Sequence, residues 1–190
     1  AVAPAVLFVV DSLRPTASSS GVALLAPVLA GPGMIRGDVA RVQQVVWNLV
    51  SNAIKFTPSG GQVSVELTDD GASVVLQVRD TGIGIAPEVL AHVFDRFSQA
   101  GQATARANAG LGLGMAITKH LVELHGGTVT AHSDGPDRGT TFVVPIPSSG
   151  AGAPVAGREA HRPETQTQSA PSLARGVQPP AKRQLDAALA

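Results

Sequence analysis

From Asp38 to Phe56 the chain runs without a Gly or Pro, in a sequence that elsewhere holds 21 Gly and 14 Pro, and Pro58, Gly60 and Gly61 then close the stretch. Asp38 is placed as an N-cap, so a helix is predicted from there to about Phe56. Projected at about 100° per residue, Val42, Val46, Leu49, Val50 and Ala53 form a buried stripe, while Arg41, Gln44, Asn48, Ser51, Asn52 and Lys55 gather on another side. An ordinary solvent face would favour Glu and Lys over Asn, a mediocre helix former.

Asn48 and Asn52, spaced i and i+4, present two amide oxygens side by side, and Lys55 adds a cation one turn on. Such a set suits a Mg²⁺ that arrives with phosphates, because Mg²⁺ keeps several waters and needs only one or two protein oxygens. A solvated polar face is the competing reading of this helix taken alone. A second feature breaks pattern on a strand. Along Ser73 to Asp80, Val74, Leu76 and Val78 share one face and Asp80 falls on the same face, where a carboxylate costs free energy unless partners satisfy it. Thr81, Gly82, Ile83, Gly84 and Ile85 follow, with glycines that permit a backbone path close to a ligand. An inward Asp accepts hydrogen bonds from an exocyclic amine, which suits adenine; a capping Asp in a tight turn, or half of an aspartic-protease site, also fits D-T-G. A third feature is Gly110, Leu111, Gly112, Leu113 and Gly114 at the start of a helix, an anion site by its exposed amides and dipole. No G-K-[ST] ending follows, so it is not a P-loop, and the dinucleotide G-x-G-x-x-G spacing is absent. A flexible hinge is the alternative.

The whole-chain numbers remove other classes. With 14 basic and 14 acidic side chains, nothing in the charge draws the chain to nucleic acid or an acidic membrane. Five Phe, Trp47 and no Tyr make base-stacking platforms a poor reading. The absence of Cys excludes disulfides, thiolate metal sites and a Cys nucleophile. Ala1 to Val10 is apolar but about half the roughly 20 residues of a spanning helix, and Gly21 to Ile35 is broken by Pro27, Gly31, Pro32 and Gly33, so a soluble segment is expected. With neither an initiating Met nor a basic region before its first apolar run, the sequence reads as a piece of something longer. Composition changes after Pro147: from Ser148 onward there is no Phe or Trp and five of the 14 Pro appear. The expectation is one domain over residues 1–147 and a disordered Pro-, Ala- and Gly-rich linker or tail over 148–190.

The remaining elements follow from periodicity and punctuation. A helix is predicted over Pro4 to Ala17 with Val6, Leu7, Val10 and Leu13 on one side and an end made ambiguous by Pro15. Val22 to Leu25 and Val28 to Ile35 read as strands, and Gln62 to Thr68 with Ser73 to Asp80 as a hairpin about Asp69, Asp70 and Gly71. A short helix opens at Pro87 and runs to about Phe94. Another spans Leu113 to His125 and closes at Gly126 and Gly127. Thr128 to Ser133 and Thr140 to Ile146 are the last strands, joined through Gly135, Pro136 and Gly139.

In this order the motifs resemble the catalytic ATP-binding domain of sensor histidine kinases, within the Bergerat-fold superfamily that includes DNA gyrase and mismatch-repair ATPases. QQVVWNLVSNAIKFT (Gln43 to Thr57) resembles the N-box, DTGIGI (Asp80 to Ile85) the first glycine box, FDRF (Phe94 to Phe97) the F-box and GLGLGMAI (Gly110 to Ile117) the second glycine box, with GTTF (Gly139 to Phe142) at the end. The likeness covers roughly Val9 to Pro147. It implies an α+β fold, a two-layer sandwich of a mixed β-sheet with helices on one face, with ATP between the long helix and a lid. By position it implies Asn52 as the principal Mg²⁺ ligand with Asn48 in support, and Lys55 at a phosphate. It puts Asp80 on the adenine amine with Thr140 near it, and Gly82, Gly84 and Ile85 along the adenine side. Gly110, Leu111, Gly112, Leu113 and Gly114 would line the triphosphate, while Phe94 and Phe97 anchor a lid over Ser98 to Ala109 that is mobile without nucleotide. Leu111 stands where many relatives have Thr or Ser, and Ala109 where Gly is frequent.

ATPases of the superfamily place a Glu four positions before the metal Asn; here that position is Asn48, and an amide is no general base at neutral pH. The nearest upstream carboxylate on the helix, Asp38, lies ten residues before Asn48, about 15 Å along the axis. Transfer of the γ-phosphoryl group to an external nucleophile is therefore preferred over hydrolysis. The family's acceptor is a His followed by an acid and, a few positions on, a Pro; none of His92, His120, His125, His132 or His161 fits. His120 projects with Leu113, Ile117 and Leu124 and is expected to be packed. The resemblance thus implies a protein-histidine kinase domain in the cytoplasm. Its partners would be an upstream dimerisation and phosphoacceptor domain and a response-regulator receiver domain, the latter possibly downstream of the tail. A non-catalytic ATP-sensing module and a serine kinase of the anti-sigma-factor type are the alternatives.

Overall fold

The computed structural model describes residues 1–96 and 113–149. Its elements are α1 (Ala3–Ser19), β1 (Ala23–Leu24), β2 (Val28–Ala30), α2 (Val39–Phe56), β3 (Gln62–Asp69), β4 (Ser73–Asp80), α3 (Pro87–Leu90), α4 (Gly114–Leu124), β5 (Thr130–His132) and β6 (Thr140–Pro147). The strands form one mixed sheet in the order β1, β3, β4, β6, β5, with β2 also parallel to β3, as the expected α+β sandwich requires. Register aligns the inward side chains of the three long strands into rows: Val65, Val78 and Phe142; Leu67, Leu76 and Val144; then Val74 beside Ile146. All are buried, whereas the alternate residues of the same strands are half-buried or exposed, so one face of the sheet holds the core.

The helices cover that face, with α2 packed on β3 and β4 and flanked by α1 and α4. The Asp38 carboxylate accepts from the Ala40 N–H at 2.8 Å and caps α2 as expected. The predicted stripe of α2 is buried throughout, widened by Val45 and Ile54. At the other end of the layer, α4 stops in a Schellman motif. The Gly127 N–H donates to Val122 O, the Gly126 N–H donates to Glu123 O, and Gly126 takes φ +72°. The hairpin turn is closed by Asp70, whose carboxylate accepts from the Ala72 and Ser73 N–H groups; these bonds, Ser73 first, hold it below the usual carboxylate range.

Several elements depart from the periodic reading. The helix α1 passes through Pro15 to Ser19, because Leu13 and Ala17 on either side are both buried and packing outweighs the lost backbone bond. Its stripe is Val6, Val9, Val10, Leu13 and Ala17, with Leu7 turned outward. The predicted strand Val28 to Ile35 stops at Ala30, since Gly31 and Gly33 adopt positive φ around Pro32; Ile35 keeps one bridge, to Ser148. The helix from Pro87 ends at Leu90 and continues to Phe94 only as turns. Order extends past the expected boundary at Pro147: Ser148 donates its N–H to Ala72 O at 3.0 Å and Ser149 to Met34 O at 2.7 Å. The rest of the predicted tail, residues 150–190, lies outside the described residues.

The expectation for His120 is overturned. It is exposed, and so are Ile117 and Leu124, while α4 buries Met115, Thr118, Leu121 and Val122. Periodicity finds two stripes on this helix and cannot choose; the fully buried Thr118, bonded to Asn48, belongs to the one that meets α2. Leu49 is 0% exposed and Leu124 is 68% exposed. Denaturant titration should therefore separate them, with Leu49→Ala costing about 2–5 kcal/mol and Leu124→Ala within about 0.5 kcal/mol of the parent. Equal losses would contradict this packing of α4.

Candidate functional site

The apolar rows of the sheet end in a polar one, where Asp80 pairs with Val63 on β3 and with Thr140 on β6. Alternation along β4 turns the Asp80 side chain to the core face, and it is 5% exposed. Its Oδ1 accepts two backbone donors, the Gly82 N–H at 2.8 Å and the Thr140 N–H at 3.2 Å. No hydrogen bond reaches Oδ2 from the described residues. Burial raises the Asp80 pKa above the ordinary carboxylate value, opposed by the Gly82 and Thr140 donors. The acid therefore keeps one acceptor in reserve.

Backbone clearance around it comes from glycine. A Cβ on Gly82 would run into the Phe56 carbonyl oxygen at the end of α2, and one on Gly139 into the Asp80 carbonyl oxygen. Gly84 has φ +65° and lies against the Gly135 carbonyl oxygen. The Ile83 N–H donates to Phe56 O at 3.1 Å, so the loop after Asp80 is tied directly to the C-terminal end of α2. From the other side the β5–β6 turn braces it: the Asp137 N–H donates to Ile83 O at 2.7 Å and the Gly139 N–H to Gly82 O at 3.0 Å. The Ser133 hydroxyl accepts from the Ile85 N–H at 3.0 Å and donates to Gly139 O at 2.7 Å.

The amide stripe of α2 divides its work. Asn48 is partly buried, and its amide nitrogen donates to Gly114 O and to Thr118 Oγ1, each at 3.3 Å, which links α2 to the first turn of α4. Asn52 is half-buried and has no hydrogen bond among the described residues. Lys55 is exposed, its Nζ 5.0 Å from the centroid of the Phe56 ring. At the start of α4, Leu113 provides no side-chain cap, and a Cβ on Gly114 would meet only open space. Among the described residues, no side chain is bonded to the first amides of that helix.

The predicted residues therefore fall in two groups. Asp80, Gly82, Gly84, Ile85 and Thr140 come together at the sheet end, and Asn48 meets Gly114 across the helix layer. Phe94 stacks edge-on to Phe142 at 6.3 Å, one row from Asp80. Phe97, Gly110, Leu111 and Gly112, with the predicted lid, lie outside the described residues. Among the described residues no three His, Cys, Asp or Glu side chains gather as a metal group. Sequence reasoning missed Ser133 and Thr118. Ser133 stood as the last residue of a predicted strand; the usable signal for Thr118 was a polar residue inside an apolar stripe.

Comparison with known proteins agrees with this geometry. Residues 37–150 match the family described as histidine kinase-, DNA gyrase B- and HSP90-like ATPase. An uncharacterized sensor-like histidine kinase of Rhizobium meliloti (strain 1021) is 42% identical over 137 residues, 72% of this chain and 26% of that protein. The sensor protein SrrB of Staphylococcus aureus is 39% identical over 110 residues, 58% of this chain and 19% of SrrB. The chain thus spans about a quarter or less of these relatives. Among solved structures, the mycobacterial sensor histidine kinase MprB superposes with a TM-score of 0.67 at 30% identity, over 76% of this chain and 94% of that one. Full-length ShkA in complex with AMPPNP gives 0.65 at 31% identity, over 76% of this chain and 29% of ShkA. No helix among the described residues is long and apolar enough to cross a membrane. The chain therefore belongs to the histidine kinase-, DNA gyrase B- and HSP90-like ATPase family, and its likeness to sensor histidine kinases assigns it to their catalytic, ATP-binding domain.

Proposed function

We propose that the site takes Mg-ATP with the adenine edge on Asp80 and the phosphates between the polar face of α2 and the start of α4. The domain then passes the γ-phosphoryl group to a His on a phosphoacceptor domain, itself read out by a response-regulator receiver domain in the cytoplasm. The observation that carries this reading is the one-sided bonding of Asp80, whose Oδ1 is doubly occupied while Oδ2 takes no donor from the described residues. No buried side-chain oxygen among the described residues lacks a partner, so Oδ2 is open to an incoming group, and an accessible carboxylate acceptor suits the 6-amino group of adenine. The nucleotide analogue bound to ShkA supports a nucleotide in a relative of this fold.

The metal fits the amides by chemistry. Asn52 has no other bond among the described residues, and Asn48 commits only its nitrogen, so both leave an oxygen for a hard cation. Mg²⁺ held there would neutralise charge on the transferring phosphoryl group. The chain's own residues supply position. Asp80 fixes the base, and Lys55 together with the uncapped amides of α4 attracts the phosphates. The acceptor imidazole nitrogen attacks the γ-phosphorus as its bond to the β,γ-bridging oxygen breaks, ADP leaves and the imidazole proton passes to solvent. Water attack lacks a base, since Asn48 stands where one would be needed and its amide nitrogen is bound to α4.

Titration of the 190-residue chain with a fluorescent ATP analogue, with Mg²⁺ and with EDTA, tests binding; no binding at millimolar nucleotide would sink the reading. Radiolabel should pass to a supplied phosphoacceptor domain and be lost in acid; acid-stable label would instead favour serine transfer, and binding without transfer a sensing module. Asp80→Asn should weaken ATP binding about tenfold to a hundredfold. Asn52→Ala should reduce the affinity measured with Mg²⁺ to the EDTA value and leave the EDTA value unchanged.

The raised pKa of Asp80 gives a further outcome with a definite sign. Burial raises the folded-state value above the unfolded one, so the ionised acid opposes folding above the folded pKa, and that penalty fades as pH falls towards the unfolded value. Without nucleotide, Asp80→Asn should therefore be at least as stable as the parent at pH 7, and its advantage should shrink in mildly acidic buffer. A variant less stable at pH 7 with an unchanged gap on acidification would contradict the assignment.

A further inference from the structure

We infer that Ser133 is a positioning residue for base recognition, acting through the backbone donors that hold Asp80; this rests on the nucleotide reading above. A serine hydroxyl has one proton to give and two lone pairs. Ser133 uses all three. It donates to Gly139 O at 2.7 Å, with a longer approach to Gly135 O at 3.3 Å. It accepts from the Ile85 N–H at 3.0 Å and from the Gly135 N–H at 3.4 Å. One side chain thus joins the loop after β4, the tip of the β5–β6 turn and the residue just before β6.

Those are the segments that carry the two donors to Asp80 Oδ1. Gly139, whose carbonyl Ser133 holds, is bonded through its own N–H to Gly82 O, and its neighbour Thr140 gives one of the two N–H groups. Gly82 gives the other, three residues before the Ile85 amide that Ser133 also holds. The separation of the two donors is therefore set by a closed ring of bonds with Ser133 as its only side-chain hydroxyl. The same ring holds Asp137 at φ +60°, a conformation that a non-glycine residue takes at a cost, with its N–H on Ile83 O. Removing the hydroxyl frees the Ile85 N–H and the Gly139 carbonyl and lets the two donors drift apart. Oδ2, which has no donor among the described residues, then loses its aim.

The test compares ATP with purine riboside triphosphate, which lacks the 6-amino group, on the full 190-residue chain. Ser133→Ala should weaken ATP binding about tenfold and purine riboside triphosphate less than twofold, so that discrimination between them collapses. Ser133→Thr, which keeps the hydroxyl, should restore it. Ser133→Cys, which keeps a side chain of similar shape with a weak hydrogen-bonding group, should behave like Ser133→Ala and serves if that variant folds poorly. Equal losses for both nucleotides would reduce Ser133 to general support of the fold and overturn the inference, as would affinities unchanged from the parent. A parent chain that binds neither nucleotide, or binds both alike, would instead bring down the reading of Asp80 on which the inference stands.

Discussion

A carboxylate buried in the end row of an otherwise apolar sheet face is the constraint around which this end of the domain is arranged. Alternation along β4 leaves Asp80 no outward option without turning Val74, Leu76 and Val78 out of the core as well. Pairing with β3 and β6 then encloses it between Val63 and Thr140. Two backbone donors offset part of the desolvation, but both fall on one oxygen, and the pKa stays raised because burial remains the larger effect. The rows beneath, filled with Val, Leu, Ile and Phe, supply the stability that lets this row stay unfinished. A ligand that brings a donor completes it.

The helix α2 serves core and site from two faces, and the separation is sharp. Val42, Val46, Leu49, Val50 and Ala53 are buried against the sheet and flanking helices, while the neighbouring stripe carries Asn48 and Asn52 only half-buried. Its last carbonyl, on Phe56, receives the Ile83 N–H and abuts Gly82. The acid on the sheet and the amides on the helix are thus placed relative to each other by a backbone bond and a missing side chain. Any residue with a Cβ at position 82 would push the two apart.

Much of this was legible in the sequence because the signals were local. A capping Asp38, a Gly- and Pro-free interval, two alternating strands around Asp70 and Gly71, and an acid of the wrong parity each state their structure within a few residues. What stayed hidden depended on partners far along the chain. The outward turn of Leu7, Ile117 and Leu124 was decided by which of two possible stripes found α2 or the sheet. Passage of α1 through Pro15 was decided by burial on both sides of it. Ser133 looked like the plain end of a strand, since nothing near it in sequence reveals that its hydroxyl meets Ile85, 48 residues earlier. Asn48 was read by its oxygen; its nitrogen, committed to α4 across 66 and 70 residues, could be placed only in three dimensions.

The two ends of the site rest on different supports, and this shapes how a nucleotide is held. At the end proposed for the base, the backbone groups around Asp80 are braced by the β5–β6 turn and by glycines. At the end proposed for the phosphates, α4 is joined to α2 through bonds from the Asn48 amide to Gly114 and the buried Thr118, beside a helix start that no described side chain caps. The sheet end is cross-bonded several times, whereas among the described residues the polar link from α2 to α4 is one amide group with two bonds of 3.3 Å. On the proposed reading, the purine would meet the more heavily braced end and the phosphates the end joined to α2 through the Asn48 amide. That arrangement suits phosphoryl transfer, in which the base serves only as a handle and the reacting end must meet a second protein's nucleophile.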